Sequence, residues 1–346
     1  VTIPPRTIEI PRSPIDGQPA ERLLFSTPDT RFGDREISYV YLDARHGIAI
    51  THPKIEAERL DDLYKKYYSS PPTQIQPADG PSPYRQFNRK SLLDKIALRL
   101  PIDRFISKPG VWDDSTLIEL KDILSRSGVD LGNELRFLDA GCFEGLLLDK
   151  ISASTGWHAY GLEPNPRAVE VARSKGHRVW LGHAEEAVEA IAEDTTFDVI
   201  FMGQTIEHVD DPVRVIRRLR LLLSPGGVLV MSTPNLDSRE IDWFGPTWSH
   251  WHTPYHRHLF SKRGLAALAR QVGMKPVHIR SFSHPYWTAM SMTLNEQGLA
   301  GAVSHSVDFP GKTRRRALRA EVLKRVLYNR LGKGDYNYAV FRDIAK

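Results

Sequence analysis

Residues 135–145, Leu135-Arg136-Phe137-Leu138-Asp139-Ala140-Gly141-Cys142-Phe143-Glu144-Gly145, constrain the fold more than any other part of the chain. An apolar run ends in an acid, a glycine turn follows, and a helical pattern starts at 146–152. A second apolar run, 157–162, ends in Glu163, eighteen residues after Gly145. A strand, a glycine turn and a helix N-terminus, followed at that distance by an acid, is how an α/β sheet holds a nucleoside. The glycines admit the ligand to the backbone, and the second carboxylate takes the ribose hydroxyls. A purely structural turn is the bland alternative for this segment taken alone.

The nucleoside is not a dinucleotide. That fingerprint needs G-x-G-x-x-G, and here its middle glycine is Phe143. Asp139 and Glu144 would also repel a pyrophosphate, whereas a ligand with sulfonium and ammonium groups favours carboxylates. Four further stretches stand in order: 161–165 (Gly161-Leu162-Glu163-Pro164-Asn165), 182–185 (Gly182-His183-Ala184-Glu185), 197–209 and 223–230. With residues 137–145 they resemble the class I S-adenosylmethionine-dependent methyltransferases over roughly residues 113–343. The pattern is closest to bacterial sugar and small-molecule O-methyltransferases. The resemblance implies S-adenosyl-L-methionine as cofactor, with S-adenosyl-L-homocysteine as product. It assigns cofactor contacts to Asp139, Gly141, Phe143, Gly145, Glu163, Pro164, His183, Ala184, Glu185, Gly203 and Gln204. Phe143 in place of a glycine, and His183 where an acid often meets the adenine, are departures from the pattern.

From residue 131 onward, strand and helix patterns alternate, which predicts a parallel sheet with helices on both faces. Strands are expected at 135–140, 158–162, 178–181, 197–202, 227–232 and 275–283. Helices are expected at 146–154, 166–175, 185–192, 212–222 and 262–271. The resemblance adds an antiparallel last strand at 336–342, completing a Rossmann-like seven-stranded sheet. Residues 1–80 read as a separate small α+β appendage, with strands at 22–25, 37–42 and 47–51 and a helix at 56–68. This unit resembles the N-terminal segment of some bacterial sugar methyltransferases, in which cysteines usually hold zinc. Cys142 is the only cysteine, so a metal-free remnant or a substrate lid is expected instead. Residues 81–130 read as a link and helices (91–100 and 114–127) over the cofactor site.

The composition, 41% hydrophobic and 26% charged, is that of an ordinary globular chain. No run of 18 apolar residues predicts a membrane span, and the first residues do not read as a secretory signal. A cytoplasmic location is the expectation. The net charge of +5 permits anionic partners without selecting one.

On the acceptor side, Glu207 and His208 follow the fourth core strand, beside where the transferred methyl belongs. A hydroxyl acceptor needs positioning and loss of a proton, so His208 is the first candidate base, with Glu207 orienting it. Gln204, Glu207 and His208, with His256 or His258 about fifty residues on, resemble the E-x-x-E-H…H arrangement of magnesium-assisted O-methyltransferases of ubiquinone biosynthesis and small-RNA ends. Gln204 removes one anionic ligand, which weakens a magnesium site, so no metal is assigned. Residues 243–260 crowd Trp243, Phe244, Trp248, Trp251, Tyr255 and Phe260 beside His250, His252, His256 and His258. Aromatic walls suit a sugar ring or an aromatic acceptor, while each histidine singly reads more simply as a satisfied core residue.

The expectation is an O-methyltransferase acting on a sugar or glycan hydroxyl. An aromatic or polyketide-like acceptor, RNA 2′-O-methylation and a non-enzymatic cofactor-binding scaffold are the alternatives. No RNA module precedes the core, which argues against nucleic acid. Residues 312–333, within a helical insertion at about 285–334, carry nine Lys or Arg and one Glu along an apolar stripe. Such a helix either packs its stripe on the domain or rests on an anionic surface such as the inner membrane face.

Overall fold

The computed structural model describes residues 9–29, 36–55, 73–74, 94, 115–132, 134–191, 195–297 and 307–344. β1 (Arg22–Thr27), β2 (Ser38–Asp43) and β3 (Ile48–His52) form an antiparallel meander. After β4 (Thr73–Gln74) and α1 (Thr116–Arg126), the alternating core runs β5 (Arg136–Ala140), α2 (Leu146–Ser154), β6 (His158–Glu163), α3 (Pro166–Ser174), β7 (Arg178–Leu181) and α4 (Ala187–Ala190). It continues through β8 (Phe197–Gly203), α5 (Pro212–Leu221), β9 (Leu223–Pro234), α6 (Arg239–Phe244), β10 (His258–Phe260), α7 (Lys262–Gln271) and β11 (Met274–Phe282). The chain then makes α8 (Pro285–Gln297), β12 (Val307–Asp308), α9 (Gly311–Leu323) and β13 (Tyr336–Asp343).

Seven strands form one sheet in the order β11-β13-β9-β8-β5-β6-β7. β13 is antiparallel to both β9 and β11, and the other strands are mutually parallel. The expected Rossmann-like sheet with an antiparallel last strand is therefore present, with that strand inserted next to the edge. Phe137, Leu138, Ile200, Leu229 and Val230 are fully buried between the helical layers, as near-continuous apolar runs in parallel strands require.

Short polar turns fix the helices at the carboxyl ends of the strands. Asn165 caps α3 by accepting from the amides of Arg167 and Ala168, with Pro166 at the first helical position. Asp211 and Pro212 do the same for α5, and Ser261 caps α7. The expected helix at 185–192 is instead a 3-10 turn at Ala184–Glu186 followed by the single turn of α4, and the fifth core strand is longer than expected. The helical patterns at 56–68 and 91–100 fall outside the described residues apart from Asp94, as does the start of the pattern at 114–127.

Two features tie the expected appendages to the core. β10 pairs antiparallel with β3, so the N-terminal sheet has four strands, the last supplied by the segment that follows β9. In the C-terminal insertion, α9 passes at Lys324–Tyr328 into a wider π-helical turn. Lys324 is fully buried there, and its Nζ donates to Glu240 Oε1 at 2.8 Å, Asp335 Oδ2 at 2.6 Å and Thr288 Oγ1 at 2.6 Å. Among the described residues, no helix is long and apolar enough to cross a membrane.

Candidate active site

The strand order reverses between β5 and β8, and the crevice at such a point is where open α/β sheets receive ligands. β5 delivers Asp139 to it, and β6 delivers Glu163. The glycine turn between them is sterically obligatory. Gly141 has φ +98°, and a Cβ on it would stand 2.6 Å from Thr205 Oγ1. Phe143 takes the left-handed conformation (φ 49°), which aims its amide at Glu163 Oε2, 2.9 Å away. The Asn165 amide donates to Glu163 Oε1, also at 2.9 Å. The carboxylate is thus held on both oxygens by backbone, each keeping a second lone pair for a ligand. This gives Phe143 a positioning role that its ring did not suggest.

The two acids lie in a low-dielectric setting. Burial, with the like charge of Glu163 added, pushes Asp139 up to about 7. Burial also raises Glu163, opposed by the amides of Asn165 and Phe143 and by nearby His183. His183 is exposed at the end of β7, and Ala184 and Glu185 are half-buried in the turn after it. Pro164 is exposed beside Glu163, and Gly203 and Gln204 are half-buried at the end of β8. Gln204 is also left-handed (φ 51°), and its amide donates to Ser232 Oγ at 2.9 Å.

Past Gln204, the chain turns so that Glu207, His208 and His256 bring one ligand atom each within 4.8 Å of one another. Glu207 is fully buried: Oε2 accepts from Thr233 Oγ1 at 2.9 Å, and Oε1 has no hydrogen-bond partner. Burial pushes its carboxyl up to about 8, against the pull of the backbone and Thr233 bonds. His208 Nδ1 lies 3.2 Å from the Tyr255 carbonyl, and His256 Nδ1 lies 2.7 Å from the His250 carbonyl. A carbonyl only accepts, so both Nδ1 atoms carry the proton and both Nε2 atoms are left as acceptors, that of His256 facing His252. His252, left-handed at φ 39°, adds a third imidazole, with Nδ1 3.3 Å from His256 Nε2.

The histidine arm is braced from two sides. The amides of Arg257 and His258 donate to the Glu207 carbonyl at 2.7 and 3.2 Å. Thr51 of β3 donates its hydroxyl to the His256 carbonyl at 2.7 Å and its amide to the Arg257 carbonyl at 2.9 Å.

Two expectations need correction. His258 does not join the cluster: it lies in β10, and burial with neighbouring Arg257 pushes it down to about 4. The aromatic residues do not form an open platform either. Trp243, Phe244, Trp248, Trp251, Tyr255 and Phe260 are all buried, packing against β1–β3, α8 and one another. Residue type cannot distinguish an aromatic wall from an aromatic core, and here the core reading holds. Sequence reasoning gave His252 no catalytic role. Its place in the cluster depends on a left-handed backbone that no motif announces.

A seven-stranded sheet with a glycine turn, paired acids at neighbouring strand tips and an imidazole–carboxylate group opposite defines a nucleoside-cofactor α/β enzyme fold. Residues 89–279 match the family model described as a methyltransferase domain. The chain belongs to that family, the class I S-adenosylmethionine-dependent methyltransferases.

It is similar to the ubiquinone biosynthesis O-methyltransferase of Cereibacter sphaeroides (strain ATCC 17029), 32% identical over 152 residues, covering 41% of this chain and 61% of that protein. The protein of the same name from Xanthomonas oryzae pv. oryzae (strain PXO99A) is 38% identical over 104 residues, covering 29% of this chain and 43% of its own length. The chain thus spans about three fifths or less of these curated relatives. Among solved structures, a putative sarcosine dimethylglycine methyltransferase from Galdieria sulphuraria aligns with 69% of this chain and 97% of its own, at 18% identity and a TM-score of 0.45.

Proposed function

We propose that the chain transfers the methyl group of S-adenosylmethionine to a hydroxyl of a small-molecule acceptor, with Glu207, His208 and His256 placing and deprotonating that hydroxyl. The observation that carries this reading is the convergence of those three side chains with the Glu207 Oε1 lone pairs unclaimed. The relatives named as O-methyltransferases support the same chemistry. In the transfer, the acceptor oxygen attacks the methyl carbon, the carbon–sulfur bond breaks, and sulfur keeps the electron pair as S-adenosylhomocysteine. The hydroxyl proton passes to a neighbouring base. His208 Nε2 suits that task, since its Nδ1 proton is committed to the Tyr255 carbonyl.

In place of His208 acting as base, the cluster fits a divalent ion held by Glu207 Oε1 and His208 Nε2, with His256 Nε2 joining if it gives up its contact with His252. A bound ion there would lower the acceptor hydroxyl's pKa. Gln204 is tied to Ser232, so one carboxylate stands among imidazoles, a set that suits manganese or zinc better than magnesium.

A phenolic hydroxyl is the acceptor class we favour. A phenol ionises near pH ~10, within reach of a histidine and a carboxylate, whereas a sugar hydroxyl asks for more. Burial of the aromatic residues removes the stacking surface for a sugar and for an aromatic ring alike, so the acidity of the hydroxyl carries the preference. A panel of catechols, phenols and monosaccharides, assayed with and without a chelator, tests both points. Turnover is expected on phenols; turnover that resists a chelator assigns deprotonation to His208, and turnover that a chelator removes and manganese restores assigns it to an ion. Turnover confined to sugars would overturn the acceptor class, and chelator-insensitive turnover would overturn the metal.

Cofactor affinity should follow the ionisation of Asp139. Burial and the charge of Glu163 push its carboxyl up to about 7, and only the charged form attracts the ligand's cationic groups. Below that value the acid is neutral, so the dissociation constant should rise on acidification and level off above it. Calorimetry from pH 5.5 to 8.5 reads this directly. A flat profile would remove Asp139 from cation recognition.

A further inference from the structure

The π-helical turn turns the chain's polarity inside out. Lys324 and Tyr328 both point inward, Lys324 to Glu240, Asp335 and Thr288, and Tyr328 by its hydroxyl to Asp94. With these two residues drawn in, the residues between and after them face out. Val326 is 64% exposed, Leu327 37% and Leu331 62%. The other large exposed apolar residues of the described chain are scattered singly along the sequence, so this group stands apart. Arg330 and Lys333 are exposed around it, Arg325 is exposed and paired with Glu321, and no Asp or Glu occurs from Val322 to Gly334.

The expected apolar stripe of residues 312–333 thus divides. Its first part packs inward, with Ala317 and Ala320 buried and Leu323 against the cluster of Trp243 and Tyr328. Its end is left open. The patch lies between the end of β11 and the start of β13, at the carboxyl edge of the sheet, the edge that carries Asp139, Glu163 and Glu207.

We propose that this patch docks the protein on an anionic lipid surface, Val326, Leu327 and Leu331 entering the headgroup boundary while Arg330 and Lys333 meet the lipid charges. Apolar insertion or a basic cluster alone gives weak attachment, and the two together give a stable one. A second copy of this chain is the poorer occupant, because a two-fold contact through this patch would bring its basic residues against their own images. Docking here sets the acceptor side of the sheet toward the bilayer.

The test is co-sedimentation of the full chain with vesicles of phosphatidylcholine alone or mixed with phosphatidylglycerol. Binding to the anionic vesicles should be at least about tenfold tighter and should weaken with added salt. A Val326→Ser, Leu331→Ser variant and an Arg330→Glu, Lys333→Glu variant should each lose that preference while keeping the melting temperature and cofactor affinity of the parent. Equal binding to both vesicles, no binding to either, or variants that bind like the parent would overturn the proposal. A concentration-dependent dimer in sedimentation velocity, abolished by the serine variant, would overturn it in favour of a second copy.

Discussion

Replacing Glu207 with Gln is expected to lower kcat/KM about 10²–10⁴-fold while leaving the S-adenosylmethionine dissociation constant within a factor of about three. The substitution keeps an oxygen for the Thr233 hydroxyl and removes the ionisable carboxyl from the imidazole cluster. It therefore separates chemistry from folding. Manganese binding, followed by electron paramagnetic resonance, should disappear in the same variant, a reading that needs no acceptor. His208→Ala should lower turnover over the same range, and turnover that resists both substitutions would leave the cluster without a catalytic role.

The second large effect concerns stability. Lys324→Met should cost about 3–5 kcal/mol, because it strands Glu240 and Asp335 in a site from which water is excluded. Asp335 is already raised by burial and by Glu240, and the lysine is the group that pulls it back. Without the lysine, Glu240 keeps the Thr288 hydroxyl and Asp335 the His284 amide, both neutral donors, while Glu240 Oε2 and Asp335 Oδ1 have no hydrogen-bond partner. Denaturant midpoints followed by tryptophan fluorescence measure the loss. Adding Glu240→Gln and Asp335→Asn to the lysine variant should recover part of it, a coupling that a simple packing defect would not show. A Lys324→Met midpoint equal to that of the parent would refute the account.

Local physics made the sheet legible. Buried parallel strands read as apolar runs, and the turns at Asn165, Asp211 and Ser261 carry their caps in the sequence. Asp139 and Glu163 were visible for the same reason: each closes a strand. His256 could be named only as one of two candidates, since spacing does not say which residue of an irregular arm faces Glu207. The pairing of β10 with β3 left no trace, because three residues fix no period and their partner lies some two hundred positions away. The inward lysine was equally hidden. An apolar stripe at helical spacing assumes an α-helix, and one wider turn is enough to change which side chains face the core.

The junction between β3 and β10 bears on how such enzymes diversify. The stretch shared with the family begins at residue 89, yet the peptide that presents His256 is hydrogen-bonded to Thr51, well upstream of it. Inheritance of the common domain alone would pass on the half that grips the methyl donor and leave the other half without its scaffold. Chimaeras that exchange residues before β4 between relatives are therefore the natural route to new acceptor preferences.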